Sequence, residues 1–178
     1  MTAETARTTV FVTLGSNIEP HDNIHRAFGE LSREFDVEAV SGVWESAPHG
    51  APGTPRFLNA AVRITCDLSP RSFKARLRRI ETRLGRRRGG DRNAPRTIDL
   101  DMALFGNLVI DDPAGGLRIP DPEVLTRAYL ALPLAEVGPR VPHPETGEPL
   151  AEIATRLASG PEAPRAVPLR PGSAVAGS

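Results

Sequence analysis

Two aspartates separated by one residue, Asp99 and Asp101, have the clearest chemical use in this sequence. They lie in TIDLDMALFG (97–106), whose alternating apolar residues are typical of a strand. Side chains at i and i+2 of a strand share a face, so the two carboxylates are expected about 6.5–7 Å apart. At an effective dielectric constant of about 20 they repel each other by roughly 2–2.5 kcal/mol. A bound divalent cation would remove that repulsion, and a solvated strand face would screen it; the spacing leaves both interpretations open.

A run of basic residues precedes the aspartate pair. Ten arginines and Lys74 lie between Arg71 and Arg96, half of the 22 basic residues of the chain. Those on the predicted helix are typical of a solvated face, whereas those in the following loop lead directly into Asp99. Arginine binds phosphate oxygens through forked hydrogen bonds and carboxylates bind Mg²⁺, so the combination indicates a metal–nucleotide site. The loop arginines are Arg86, Arg87, Arg88, Arg92 and Arg96.

Composition limits the class of protein. The 178 residues include 22 basic and 22 acidic ones, so the formal net charge is zero and a dedicated nucleic-acid partner is not expected. A single cysteine, Cys66, excludes an internal disulfide, and no Cys/His spacing is typical of zinc. Nothing approaches 18 consecutive apolar residues, and the N-terminal residues lack a signal-peptide core. We therefore expect no membrane partner, a cytoplasmic location and a monomer.

The elements that must position these residues alternate along the chain. Apolar periodicity predicts strands at 8–15, 37–46, 57–68 and 97–106, and helices at 21–35, 70–84, 122–136 and 150–158. The first six follow the order β-α-β-β-α-β, which predicts an α+β ferredoxin-like core with an antiparallel sheet. Two helices are expected on one face, and the later helices on the other. The segment LGSN (14–17) is a strand-to-turn junction with a possible purely structural role. A single domain is predicted over 1–158, followed by a mobile Pro/Ala/Gly-rich tail, 159–178, with no regular element.

Strand alternation assigns side chains to the two faces of the sheet. One apolar set is Ile98, Leu100, Met102 and Leu104, and another is Leu58, Ala60, Val62 and Ile64. If both sets pack on the first two helices, the opposite face carries Asp99, Asp101, Asn59 and Phe57 together.

Five stretches of the chain match the motifs of a known enzyme family. They are VTLGSNIEP, PRFLNAAVRI, RIETRLGRRR, NAPRTIDLDMALFGN and RAYLALPLAEVGP, in the family's order across residues 10–140. The chain thereby resembles 6-hydroxymethyl-7,8-dihydropterin pyrophosphokinase of the folate pathway, and the run P-R-T-I-D-L-D-x-x-L-F-G is the most specific match. The resemblance implies an ATP-dependent diphosphotransferase. It would transfer the β,γ-diphosphate of ATP to the pterin hydroxymethyl group and release AMP.

The resemblance also implies roles for individual residues. Asp99 and Asp101 would hold two Mg²⁺ ions, which would bridge the ATP phosphates and the attacking hydroxyl. Arg86 and Arg96 would stabilise the charge that moves onto the leaving AMP. The nucleotide-binding residues implied are Glu81, Arg88, Arg92, Met102 and Arg127, and the pterin-binding residues are Ser46, Ala47, His49, Phe57, Asn59 and Tyr129. Ordinary helix-surface or core positions remain the alternative for Glu81, Arg127 and the two aromatic residues.

Three positions depart from the family pattern. Asn93 stands where the family often has Trp, Asp121 where it commonly has His, and Ala47 where Pro is frequent. They keep open a paralogue that binds pterin or ATP but acts on another pterin or does not catalyse. A nucleic-acid-binding ferredoxin-like module is a third alternative, supported only by the arginine loop. The loops at 49–55 and Gly89-Gly90 are the expected lids.

Overall fold

The structure, a computed structural model, describes residues 6–48, 53–89, 95–161 and 163–171. Its elements are β1 (Thr8–Ser16), α1 (Pro20–Glu34), β2 (Asp36–Val40), β3 (Val43–Ser46), β4 (Phe57–Cys66), α2 (Pro70–Arg83), β5 (Asp99–Phe105), β6 (Ile110–Asp112), β7 (Leu117–Ile119), a 3₁₀ helix (Pro122–Leu125), α3 (Ala128–Val137), α4 (Leu150–Leu157) and β8 (Arg165–Val167). An antiparallel sheet runs in the order β5-β1-β4-β3-β8, and β2 pairs with the other half of β4. The order from β1 to β5 confirms the predicted ferredoxin-like core.

The segment predicted as one strand at 37–46 forms two strands, so that prediction is wrong in detail. Both β2 and β3 pair with β4, but the ladder is interrupted at Ser41 and Gly42. The Ala61 N–H donates to Ser41 Oγ at 2.8 Å, and the Gly42 N–H donates to Glu136 Oε2 at 2.7 Å. Side-chain acceptors thus satisfy backbone donors that a continuous ladder would have used.

The sheet separates two apolar cores, which confirms helices on both faces. The first core packs residues of α1 and α2, among them Ile24, Leu31 and Phe73, against the sheet. The second core packs α3 and α4 against the opposite face. The predicted apolar set of β4, with Leu58, Ala60, Val62 and Ile64, faces the first core, as expected.

A β-bulge in β5 changes the face of one predicted core residue. Phe11 pairs with Leu104, but the next residue, Val12, pairs with Met102, so Ala103 is the extra residue. Leu100 and Met102 therefore face the first core, whereas Leu104 lies in the second. The assignment of Leu104 to the same face as Leu100 is wrong, because strict alternation fails across a bulge.

The predicted helix at 122–136 is divided into the 3₁₀ helix and α3. Asp121 caps the first part, because its Oδ1 accepts from the Glu123 N–H at 2.9 Å. The backbone then becomes extended at Arg127, and α3 begins at the following residue. No helix among the described residues is long and apolar enough to cross a membrane.

Two elements have no counterpart in the sequence-based prediction. One is the hairpin β6–β7, which lies beyond the end of β5. The other is β8, which lies in the segment 159–178 and pairs with β3. The expectation that this segment forms no regular element is therefore wrong for Arg165–Val167. The cause is tertiary, since β3 presents an open edge with which even a short extended segment can pair.

Gly138, just after α3, is required by the close approach of an aromatic ring. A Cβ atom at this position would lie 2.6 Å and 2.8 Å from two ring carbons of Phe11, which is buried in the second core. We expect Gly138→Ala to lower the free energy of unfolding by about 1–3 kcal/mol through overpacking. Gly29→Ala is the matched control, because Gly29 lies inside α1 and an added Cβ there would meet nothing within 4 Å. Chemical denaturation should show the control unchanged or about 0.5–1 kcal/mol more stable, and equal effects of the two variants would contradict this packing argument.

Candidate active site

One row of paired residues crosses four strands at the head of β5. Asp99 pairs with Gly15 of β1, Gly15 with Asn59 of β4, and Asn59 with Trp44 of β3. Directly paired residues project from the same face of a sheet. Because Gly15 has no side chain, a gap separates the carboxylate of Asp99 from the amide of Asn59, and a Cβ in that gap would lie 3.7 Å from Asn59 Oδ1. The predicted placement of Asp99 and Asn59 on one face agrees with this register.

Two arginines bind the two oxygens of Asp99. Arg86 Nη1 lies 2.8 Å from Oδ1, and Arg96 Nη1 lies 2.7 Å from Oδ2. Arg86 Nη1 also donates to the carbonyl oxygen of Ile98 at 2.8 Å, which anchors it on the segment leading into β5. All three charged side chains are at least half-buried, so these charge-assisted hydrogen bonds are strengthened relative to bulk water. Arg86 and Arg96 thus neutralise the charge of Asp99, one at each carboxylate oxygen.

Asp101 lies two residues further along β5, paired with Thr13, and in a different electrostatic environment. Solvent reaches the residue, yet the protein around it desolvates the carboxylate on its other sides. This desolvation, together with the carboxylates of Asp99, Asp121 and Glu81, raises the pKa of Asp101 to about 7. Arg86 acts in the opposite direction. The carboxyl group of Asp101 therefore titrates near neutral pH.

Glu81 joins α2 to β5 through a hydrogen bond. Its side chain is 3% exposed, Oε1 accepts from the Leu100 N–H, and Oε2 accepts from Arg88, both at 2.8 Å. Burial is the main cause that raises the pKa of Glu81, and the Leu100 N–H acts against it. The carboxylate that was expected to bind nucleotide is here engaged in holding β5 and Arg88.

A cavity of about 280 Å³ opens beside Asp101, between α2, β5 and the β6–β7 hairpin. Apolar residues form much of its lining, and charged groups stand among them, as is common in ligand pockets. The lining residues are Lys74, Leu77, Leu100, Asp101, Met102, Pro113, Gly116, Leu117, Arg118, Ile119, Asp121 and Pro122. Met102, expected on the nucleotide side, is among them. Asp121 therefore has two structural roles: it caps the 3₁₀ helix, and it forms part of the cavity wall next to Asp101.

The predicted pterin-side residues meet in part. Ser46 pairs with Phe57, and Asn59 Nδ2 donates to Ser46 Oγ at 2.9 Å and to the carbonyl oxygen of Trp44 at 3.1 Å. Tyr129 packs against the second core, with its hydroxyl 3.5 Å from Glu123 Oε2. Burial, more than the neighbouring Glu123, raises the pKa of Tyr129 to about 12.

The roles of Tyr129, of Ala47 after β3 and of Arg127 before α3 stay predictions. His49, Arg92 and Asn93 lie outside the described residues, as do parts of both expected lids.

Sequence reasoning missed several residues around the site. Trp44 supports Asn59 through its carbonyl oxygen, and its Nε1 donates to Glu136 at 2.7 Å. Lys74 and Arg118 line the cavity, with Lys74 bonded to the carbonyl oxygen of Gly116. The alternation of residues on either side of Gly115-Gly116 could have indicated the hairpin that carries this wall.

Comparison with known proteins decides the family. The sequence model of the family described as 7,8-dihydro-6-hydroxymethylpterin-pyrophosphokinase (HPPK) matches residues 11–139. The chain belongs to this family. It is 37% identical over 147 residues to the 2-amino-4-hydroxy-6-hydroxymethyldihydropteridine pyrophosphokinase of Pseudomonas aeruginosa, covering 81% of this chain and 88% of the relative. It is 31% identical over 146 residues to the enzyme of the same name from Aquifex aeolicus, covering 82% and 89%.

A solved structure supports the fold. The crystal structure of Plasmodium falciparum HPPK-DHPS, wild type with pteroate, superposes with a TM-score of 0.67 at 12% identity. The match covers 88% of this chain and 43% of the Plasmodium chain, so the chain spans less than half of that longer protein. Family membership confirms the resemblance, and with it the enzyme class, an ATP-dependent diphosphotransferase that uses ATP as co-substrate.

The raised pKa of Asp101 predicts a pH dependence in the metal-free HPPK-family protein. An aspartate whose folded-state pKa lies above its unfolded value of 3.8 adds stability below about pH 4, and this stability is lost as the pH rises through about 7. Asp101→Asn should therefore raise Tm, relative to the parent chain, more at pH 8 than at pH 5. Thermal unfolding in EDTA at the two pH values measures this difference, and an equal change in Tm at both would contradict it.

Proposed function

We propose that this chain transfers diphosphate from ATP to the hydroxymethyl group of 6-hydroxymethyl-7,8-dihydropterin, releasing AMP, in folate biosynthesis. Family membership supports the reaction class. The observation that carries the residue assignment is the row in which Asp99, held by Arg86 and Arg96, faces Asn59 across Gly15. The row places groups suited to metal and phosphate on one side of a gap and a group suited to a heterocycle on the other.

The donor set fits Mg²⁺. The described residues contain no group of three or more His, Cys, Asp or Glu side chains that could hold a metal ion. Mg²⁺ usually keeps several waters and binds one or two protein carboxylates together with substrate phosphates, so two aspartates on one strand meet its needs. We propose Asp99 and Asp101 as ligands of two Mg²⁺ ions. The ions, when bound, would neutralise phosphate charge and polarise the transferred group.

Arg86 and Arg96 have a second proposed role, which is to bind phosphate oxygens. Both bind Asp99 when no cation does, and a cation on Asp99 would compete for the same carboxylate oxygens. The guanidinium groups would then turn towards phosphate oxygens beside the cation, for which their forked donors are well suited. The same two arginines would thus hold Asp99 before the cation binds and would then stabilise the charge that develops on the leaving AMP.

Asn59 is oriented to accept a hydrogen bond from a pterin. Both hydrogens of its Nδ2 have acceptors, Ser46 Oγ and the Trp44 carbonyl oxygen, so the amide presents Oδ1 towards the gap at Gly15. The amino and ring N–H groups of a pterin are donors that match this oxygen. Phe57, paired with Ser46, is the proposed aromatic contact on the same strand.

The cavity beside Asp101 is the proposed position of the nucleoside. It adjoins Asp101 on the side of β5 away from β1, whereas Asn59 lies beyond β1. The diphosphate would therefore lie between the two substrates, at the aspartates. The pterin hydroxyl oxygen attacks the β-phosphorus and its proton is released to solvent. The bond from that phosphorus to the bridging oxygen of AMP breaks, and its electron pair leaves with AMP. The protein contributes positioning and charge stabilisation rather than a nucleophile.

A monomeric enzyme is proposed from the sequence-based expectation alone. A cytoplasmic location is proposed with it, from the sequence-based expectation.

Replacing either aspartate tests this proposal. Asp99→Asn and Asp101→Asn keep the side-chain shape but remove the charge, and each should lower kcat for AMP formation by about 100-fold or more. The assay mixes Mg-ATP and the pterin with each protein and resolves the nucleotide products. Asp36→Asn is the matched control, because Asp36 is an exposed aspartate of β2, paired with Arg7 and remote from β5.

The outcomes separate the alternatives. AMP that requires both pterin and Mg²⁺, and that is lost in the two site variants but not in the control, supports the proposal. A folded parent chain that binds ATP without forming AMP would contradict it and favour the paralogue that acts on another pterin or only binds. Near-normal activity of either site variant would overturn the metal assignment.

A further inference from the structure

The residues at the end of β1 form hydrogen bonds with the segment that leads into β5. Asn17 Oδ1 accepts from the Arg96 N–H at 2.6 Å, and the Asn17 N–H donates to the Arg96 carbonyl oxygen at 3.1 Å. Next to it, Ser16 Oγ donates to the carbonyl oxygen of Thr97 at 2.6 Å. Two consecutive residues of β1's end thus bind two consecutive residues before β5.

These contacts begin where the regular ladder stops. The last pair of β1 and β5 is Gly15 with Asp99, and residues 95–98 have no strand structure. Ser16 is fully buried and Asn17 is 3% exposed, so their polar groups must find partners within the protein. Side-chain hydrogen bonds of Ser16 and Asn17, together with the backbone bond from Asn17 to Arg96, therefore connect the two segments beyond the last pair of the ladder.

These hydrogen bonds of Ser16 and Asn17, called the clamp below, hold the backbone on either side of the Arg96–Thr97 peptide bond. The side chain of Arg96 reaches Asp99. Arg96 Nη1 lies 2.7 Å from Asp99 Oδ2, and only two residues separate Arg96 from Asp99. From the other side, Arg86 binds both the Ile98 carbonyl oxygen and Asp99. The segment 96–99 is consequently held at its start by Asn17 and at its end by Arg86.

We infer that Asn17 is a positioning residue of the active site, which holds the Arg96 backbone so that its guanidinium meets Asp99 and the phosphates beside it. The inference deepens the proposed function and rests on it for the phosphate. Loss of the Asn17 oxygen would leave the Arg96 N–H without its side-chain acceptor and free the segment to shift. The guanidinium would then lose its fixed approach, although the fold around it persists.

The matched pair Asn17→Ala and Asn23→Ala tests the inference. Asn23 is an equally buried asparagine of the neighbouring helix α1, and its Nδ2 donates to the Ile18 carbonyl oxygen at 2.7 Å. It makes none of the contacts to residues 96–99 described above. Both variants lose a buried amide, but only one loses the clamp.

Two readouts distinguish positioning from a general loss of stability. Amide hydrogen exchange, followed by NMR, should accelerate at Arg96 by about 10-fold or more in Asn17→Ala, relative to core amides such as that of Val12, and not in Asn23→Ala. In steady-state assays, kcat should fall by about 10–100-fold in Asn17→Ala with KM for the pterin nearly unchanged. Asn17→Asp retains an acceptor oxygen and should restore slow exchange at Arg96.

Equal effects of the two alanine variants on exchange at Arg96 and on kcat would overturn the inference. Its failure differs from that of the proposed function. If the parent chain forms no AMP, the reaction assignment fails, whereas the exchange experiment still tests the clamp. If the parent forms AMP and Asn17→Ala matches Asn23→Ala, only the positioning role is lost.

Discussion

The repulsion between carboxylates gathered at the head of β5 is the constraint on which the site depends. Burial of the carboxylate, reinforced by repulsion from Asp99, Asp121 and Glu81, brings the pKa of Asp101 to about 7. The protein answers in two ways. Arg86 and Arg96 neutralise Asp99, and Glu81 is occupied by a backbone N–H and Arg88. Solvent reaches Asp101, and under the proposed function a cation that arrives with phosphate would bind at this end of the strand.

Strand pairing fixes where the charged groups lie relative to Asn59. The β1–β5 ladder places Asp99 opposite Gly15, and the β1–β4 ladder places Asn59 on the far side of the same glycine. Buried side-chain hydrogen bonds then fix what the ladders leave free: Ser46 and Trp44 orient the Asn59 amide, and Asn17 holds the backbone of Arg96. Catalysis that rests on positioning requires this arrangement before the substrates arrive, because reorganisation during the reaction would add to its barrier.

Much of the fold could be predicted from local sequence pattern. The order of the first six elements, and the placement of Asp99 and Asn59 on one face of the sheet, follow from the periodicity of apolar residues. The errors have tertiary causes. Leu104 changes face because of a bulge at Ala103, and 37–46 divides because Ser41 and Glu136 satisfy backbone donors at the break. β8 exists because β3 offers an edge. The clamp by Asn17 joins residues 79 positions apart, which no local spacing could reveal.

In the proposed function, divalent cations and phosphate meet at the carboxylates of β5. Paramagnetic broadening of backbone amide signals by Mn²⁺, a substitute for Mg²⁺, tests it directly in the presence of a non-hydrolysable ATP analogue. As Mn²⁺ is added, the amide signals of Gly15, Asp99 and Asp101 should broaden first, whereas those of Asp36 and Asp67, at the other end of the sheet, should be spared. Broadening that begins at that other end, or that is unchanged in the double variant Asp99→Asn/Asp101→Asn, would contradict it.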